Sequence, residues 1–183
     1  RARNYMIEGD ASGASYLFGI AAIAGCTISV SPLPRSSRQG DVLFPTLLQK
    51  MGCDVSYDSL DHSITVTGVT PPIAIDCDMT SMPDTAQTLA VVAAGARGAS
   101  HITGLSTLKV KETDRLLALH QELRKIGTQS EISHDSLTVH GGVPHGATIS
   151  TYDDHRMAMS FSLAAFGLAP DDAPLVINDP GCV

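Results

Sequence analysis

The chain has 183 residues, room for one domain or one domain and part of another. Hydrophobic residues make up 43% but aromatics only 4%, with no Trp, so the core has to be built from Ala, Leu, Ile, Val and Met. A formal charge of −7 argues against a nucleic-acid backbone as main partner, because phosphate chains require a basic face; a small anion held by a few local Arg and Lys remains open.

In chain order, the first segment is YMIEGDASGASYLFGIAAIAGCTISV, Tyr5 to Val30. It reads as a short apolar stretch, an acidic turn, an Ala-rich helix over Ala11–Ala24 and a β-branched strand. A Pro/Arg/Ser loop follows, with Arg35 and Arg38 expected in solvent, then a helix in Asp41–Gly52 and a hairpin in Cys53–Gly68. The pattern then returns. Ile73–Gly104 repeats the first segment with a helix over Thr85–Ala96, and Lys111–Gly127 repeats the second helix. There Leu116, Leu119, Leu123 and Ile126 form one stripe and Gly127 a left-handed cap. Thr128–Gly141 is a second hairpin, in which Leu137 and Val139 alternate with polar residues as Ile64 and Val66 do in the first. Ala147–Asp179 begins a third copy, with a helix over Arg156–Phe166.

The unit is thus β-α-β-α-β-β at a period of about 70 residues. Two copies are complete, and the third, about 147–183, is truncated. Helices apolar on most sides are buried on several faces. The expectation is a mixed α/β (α+β) domain, 1–183, with three small sheets around a helical centre. No signal peptide is visible and the first residue is Arg1, not Met, so the chain is read as a piece of a longer one. No apolar run approaches the roughly 20 residues that span a bilayer, so no membrane partner is expected. Cys26, Cys53, Cys77 and Cys182 lack ligand spacing, which predicts free, mostly buried thiols in a reducing, cytoplasmic setting.

Charge concentrates at helix starts. Lys111-Glu112-Thr113-Asp114-Arg115 reads either as a charged first turn or as an anion site. Glu112 and Asp114 suit the positive end of the helix dipole, whereas Lys111 and Arg115 oppose it unless an anion binds there. Asp153-Asp154-His155-Arg156 reads as an Asp N-cap with incidental bases, or as a second anion-binding end contacted by Arg156. Asp84 is an N-cap or a carboxylate able to take a proton from a hydroxyl; Asp10 is an N-cap. The remaining histidines show no ligand spacing.

EGDASGASY, MPDTAQT, KVKETDRL, ELRKIG and TYDDHRMAMSFSLAA, in this order, resemble the second half of the 5-enolpyruvylshikimate-3-phosphate (EPSP) synthase family. The resemblance covers essentially the whole chain, and KETDR with DDHRMAM is a specific combination. It implies an enolpyruvyl transferase fold, an inside-out α/β barrel of such units, and a reaction in which the 5-hydroxyl of shikimate 3-phosphate attacks C2 of phosphoenolpyruvate and phosphate leaves, with no metal or organic cofactor. It gives Asp84 contact with the sugar hydroxyls and a general-base role, Lys111 a place near the reacting hydroxyl, and Glu112 proton transfer at the methylene carbon. Arg115 and Arg156 hold phosphoenolpyruvate. Thr107 stands where several members place an Asn on the sugar phosphate. The family's N-terminal domain is absent, so the chain alone is expected to be inactive. A transferase for another sugar acceptor and a non-catalytic ligand-binding domain are the competing expectations.

Overall fold

The structure, a computed structural model, describes residues 7–183; the Tyr5-Met6 opening of the first repeat lies outside the described residues. Helix α1 spans Ala11–Ala24. The carboxylate of Asp10 accepts from the backbone N–H groups of Ser12 and Gly13, as an N-cap should. Strand β1 (Thr27–Val30) follows, then a 3-10 turn at Gly40–Leu43 and helix α2 (Phe44–Lys50). Strands β2 (Asp54–Asp58) and β3 (Ser63–Thr67) make the expected hairpin, and the sheet runs β1-β3-β2, all antiparallel. Arg35 and Arg38 are exposed, as expected, and the Arg35 guanidinium sits 4.6 Å over the Tyr57 ring.

The second unit contains β4 (Asp76–Asp78), a 3-10 turn at Pro83–Thr85, α3 (Ala86–Ala94) and β5 (Ala99–Thr103). A further 3-10 turn, Ser106–Val110, leads towards α4 (Arg115–Lys125), β6 (Gln129–Ile132) and β7 (Leu137–His140). Its sheet runs β4-β5-β7-β6, with β4 parallel to β5 and the other pairs antiparallel. Leu116, Leu119, Leu123 and Ile126 are fully buried, as the stripe requires. Gly127 takes φ +82, and the Thr128 N–H returns to the Leu123 carbonyl at 2.9 Å, closing the helix in the left-handed cap expected of it. The third unit contains β8 (Thr148–Ile149), α5 (His155–Ser162), a 3-10 turn at Leu163–Gly167 and β9 (Val176–Ile177), with β8 parallel to β9. The repeat is therefore physical: β8–β9 reproduces β4–β5, and β1–β3–β2 reproduces β5–β7–β6.

The three sheets stay separate, and among the described residues none closes into a barrel. The helices occupy the middle. Every residue of α3 is buried, and it packs against both α1 and α5. Ala-rich faces let these helices approach closely; at their crossing the hydroxyls of Ser15, Thr88 and Ser160, all buried, form a chain at 3.3 and 3.4 Å. Two expected helices are shorter than their apolar pattern. Thr85–Ala96 becomes a 3-10 turn followed by α3, and Arg156–Phe166 becomes α5 followed by a 3-10 turn, because tertiary packing tightens the helix ends. All four cysteines are free, but only Cys53 is buried; Cys26 is exposed. Among the described residues no helix is long and apolar enough to cross a membrane.

Candidate active site

Asp84 does not cap α3. It sits in the 3-10 turn before that helix, with no capping bond from its side chain. Its carboxylate faces three cations instead. Lys111 Nζ lies 3.1 Å and Arg115 Nη1 3.4 Å from Oδ1, and Arg156 Nη2 lies 3.2 Å from Oδ2. Arg156 Nη1 also donates to the Asp84 carbonyl at 3.1 Å. Burial would raise the Asp84 pKa, but the Lys111 hydrogen bond and the charges of Arg156, Lys111 and Arg115 outweigh it and hold the carboxyl below its ordinary value.

The KETDR stretch differs from the expected first turn. Asp114 keeps non-helical dihedrals and its carboxylate accepts from the Leu117 N–H at 3.0 Å, so α4 starts at Arg115. A short carboxylate competes with the helical backbone for that donor, which makes Asp114 the cap. Lys111 and Glu112 precede the helix, and their side chains turn to Asp84 and to Arg115, whose Nη2 donates to Glu112 Oε2 at 2.5 Å.

Arg115 is 1% exposed although it is an arginine. Its partner is Asp154, which is fully buried: Nε donates to Oδ2 at 2.7 Å and Nη2 to Oδ1 at 3.2 Å, a two-bond fork. Asp154 Oδ1 also caps α5 by accepting the Arg156 N–H at 2.9 Å. The cap expected there is thus also the buried counter-ion of the neighbouring helix start. Asp84, Glu112 and Asp154 balance Lys111, Arg115 and Arg156, so the cluster is neutral as it stands. An incoming anion can bind by taking over guanidinium and ammonium donors that Asp84 and Glu112 now occupy. Thr107 lies on the turn leading to this cluster, exposed and outside its ion pairs.

Several residues at or beside the site carried no signal in the sequence. Asp41 accepts a hydrogen bond from the Ser12 hydroxyl. Burial pushes its carboxyl pKa up; the Ser12 bond and Arg156 oppose that, and the Asp84 charge adds to it. Tyr16, on α1, is nearly buried beside Arg156. Glu122, fully buried on α4, accepts from Tyr152 Oη at 2.6 Å, from the Ser150 N–H at 3.1 Å and from Lys125 Nζ at 2.8 Å. The one available clue was that Ser12, Ser15 and Tyr16 gather polar atoms in the first turns of an otherwise apolar helix. Among the described residues no three His, Cys, Asp or Glu gather as metal ligands would.

Separate small sheets around buried helices, with cations and carboxylates gathered at the helix starts, define the class: a domain of the enolpyruvyl transferase fold. An EPSP synthase from Acinetobacter baumannii matches it with a TM-score of 0.81 at 24% identity, over 93% of this chain and 41% of that one. An enolpyruvyl transferase from Streptomyces tendae matches with a TM-score of 0.67 at 20% identity, over 94% and 39%. At these identities the likeness concerns the fold alone.

The family is given by sequence. The profile of the family described as EPSP synthase (3-phosphoshikimate 1-carboxyvinyltransferase) matches residues 1–183, and the chain belongs to that family. It is 47% identical to the chloroplastic 3-phosphoshikimate 1-carboxyvinyltransferase of Arabidopsis thaliana over 98% of its length and 35% of the relative's. It is 44% identical to the enzyme of that name from Methanosphaerula palustris over its whole length and 42% of the relative's. The chain spans about two-fifths of the length of such relatives.

Proposed function

We propose that the chain forms one wall of the active site of an EPSP synthase, a cytoplasmic enzyme of the shikimate pathway that moves the enolpyruvyl group of phosphoenolpyruvate to the 5-hydroxyl of shikimate 3-phosphate. The opposite wall comes from the region that the longer relatives have and this chain does not span. The observation that carries this reading is the Asp84 carboxylate joined to Lys111, Arg115 and Arg156, residues from three separate segments.

The chemistry follows from that geometry. Phosphoenolpyruvate brings a carboxylate and a phosphate, and Arg115 and Arg156 present guanidinium edges to them. As the anion settles on these cations it offsets the positive field that holds the Asp84 pKa down, so Asp84 becomes a better base as its substrate arrives. Asp84 then accepts the hydroxyl proton while the hydroxyl oxygen bonds to C2. Glu112, nearly half exposed at the rim, takes up a proton from solvent as the anion displaces it from Arg115 and delivers that proton to the methylene carbon, which becomes a methyl group. In the second step the C2–O bond to phosphate breaks, Asp84 passes the hydroxyl proton to the departing phosphate, and Glu112 takes a methyl proton back as the double bond re-forms. Lys111, beside Asp84, stabilises the negative charge that develops at the reacting oxygens. Thr107 is assigned to the sugar phosphate.

The test is phosphate release with both substrates, for the chain alone and for the chain supplied with the complementary region of a relative. The chain alone is expected to be silent, and the combination active with shikimate 3-phosphate. Turnover by the chain alone at the rate of a whole enzyme would overturn the two-wall reading. Activity confined to a different sugar acceptor would overturn the substrate.

A further inference from the structure

Each cation of the cluster already has protein partners. Arg115 directs Nε and Nη2 at Asp154, Nη2 at Glu112 and Nη1 at Asp84, while Arg156 gives both terminal nitrogens to Asp84. Arg115 Nε and Nη2 are fully committed, so a ligand bond there replaces or shares a bond to protein, whereas Arg115 Nη1 and Arg156 keep N–H donors that the described residues do not use. Tyr16 differs. It lies in the second turn of α1, 8% exposed, and its buried hydroxyl has no acceptor for its proton; the Arg156 guanidinium beside it can only donate to the phenol oxygen. Its surroundings are those of the site: the Arg156 guanidinium lies beside it, and the charges of Arg115 and Asp154 act on it. A buried hydroxyl without a partner is rare enough in folded proteins to need an explanation.

From this placement we infer that the Tyr16 hydroxyl is a further donor of the anion site, donating to an oxygen of the carboxylate or phosphate held by Arg115 and Arg156. The inference rests on the anion-binding reading above and extends it to the first repeat. Three physical points support it. The hydroxyl proton has no protein acceptor to give up, so its bond to a ligand breaks no ion pair. Its burial, which outweighs Arg156 and pushes the phenol's pKa up, keeps it protonated at neutral pH, so it meets the anion as a neutral O–H and adds no repulsion. The ring is held on a packed helix, so little freedom is lost when the ligand arrives.

The test uses the 183-residue chain labelled with 13C at tyrosine Cζ and supplied throughout with the unlabelled complementary region of a relative. Phosphoenolpyruvate is titrated into the unmodified protein, Tyr16→Phe and Arg156→Ala, with Kd from calorimetry. The Tyr16 resonance is identified by its loss in Tyr16→Phe. The expected result is that this resonance moves with ligand in the unmodified chain, and that Tyr16→Phe raises Kd about 10- to 100-fold, the range for a hydrogen bond to a charged group. A merely structural phenol would not show a ligand-saturable Cζ shift. A Tyr16→Phe Kd within about twofold of the unmodified chain, with binding still abolished by Arg156→Ala, would overturn the Tyr16 assignment and leave the anion site standing. If Tyr16→Phe fails to fold, an unmoved Cζ resonance at saturation overturns it equally. If the unmodified chain shows no binding at all, the anion-site reading falls and the Tyr16 assignment with it.

Discussion

Arg115 and Arg156 have the same part in the sequence, each an arginine at a helix start, but their surroundings set different costs. Arg115 is sealed in with Asp154, and removing it leaves a buried carboxylate without its counter-ion. Arg115→Ala is expected to cost about 3–5 kcal/mol in urea denaturation at pH 7. Arg156 pairs with a carboxylate that is one-third exposed, so Arg156→Ala should cost below about 1 kcal/mol while still abolishing phosphoenolpyruvate binding. Equal losses of stability would show that the buried fork has no special weight. Asp84 sets a pH dependence at the same scale. Its pKa is lowered in the folded chain, so its stabilisation is fully present above the unfolded value of about 3.9 and drains away as pH falls through the lower folded value. The stability difference between the unmodified chain and Asp84→Asn should be largest at about pH 5 and above and shrink towards zero at the acid end of a urea series. Asp41 runs the other way: its raised pKa means that the ionised form opposes folding, and Asp41→Asn should raise the urea midpoint at neutral pH.

At the scale of elements, the joint between the second and third units is Glu122. The α4 stripe was visible as a row of leucines, but no spacing singled out Glu122 beside it in the last turns. In the fold it is buried where α4 meets the chain after β8, and its two oxygens take the Ser150 amide, the Tyr152 hydroxyl and Lys125. Burial and the Glu122 carboxylate together push the Tyr152 pKa up, keeping that phenol a donor. Glu122→Ala should destabilise the protein by about 2–3 kcal/mol, the scale of hydrogen bonds to a buried charge. It should also speed hydrogen exchange of the Ser150 amide more than that of amides in the β2–β3 hairpin, far from the joint. Uniform exchange throughout would argue that Glu122 acts on the whole fold and not at this joint.

Across the whole molecule, the repeat governs close packing as well as topology. After β3, a Cβ at Gly68 would lie 1.8 Å from the Ala21 carbonyl oxygen near the end of α1; after β7, a Cβ at Gly141 would lie 2.1 Å from the Ala96 carbonyl oxygen just past the end of α3. Each hairpin thus ends against its own unit's central helix, and only a residue without a side chain fits. Gly68→Ala and Gly141→Ala should each cost about 1–3 kcal/mol or more by thermal or urea unfolding, and by similar amounts. A large loss at one site and none at the other would mean that the two units are not packed alike. The same arrangement brings Asp84 before α3 together with Arg115 and Arg156 at the starts of α4 and α5, so that positive dipole ends and guanidinium groups share one place, which suits an anion on a chain whose net charge is −7.

Legible in the order of amino acids alone were the repeat, the buried Ala-rich helices, the α4 stripe, the Gly127 cap and the crowding of charge at the starts of α4 and α5. These are carried by short-range signals: apolar spacing, capping residues and recurrence at a fixed period, each readable within a few turns of chain. Only the tertiary fold shows that Asp84 is the hub of the ion pairs and not a cap, that Arg115 is buried with Asp154, that Tyr16 lies beside Arg156, that Asp41 bonds Ser12 and that Glu122 is buried. Those outcomes depend on which faces meet. Asp84 and Arg156 stand 72 positions apart, and burial and ion pairing between such distant residues leave no periodic trace in the order of amino acids.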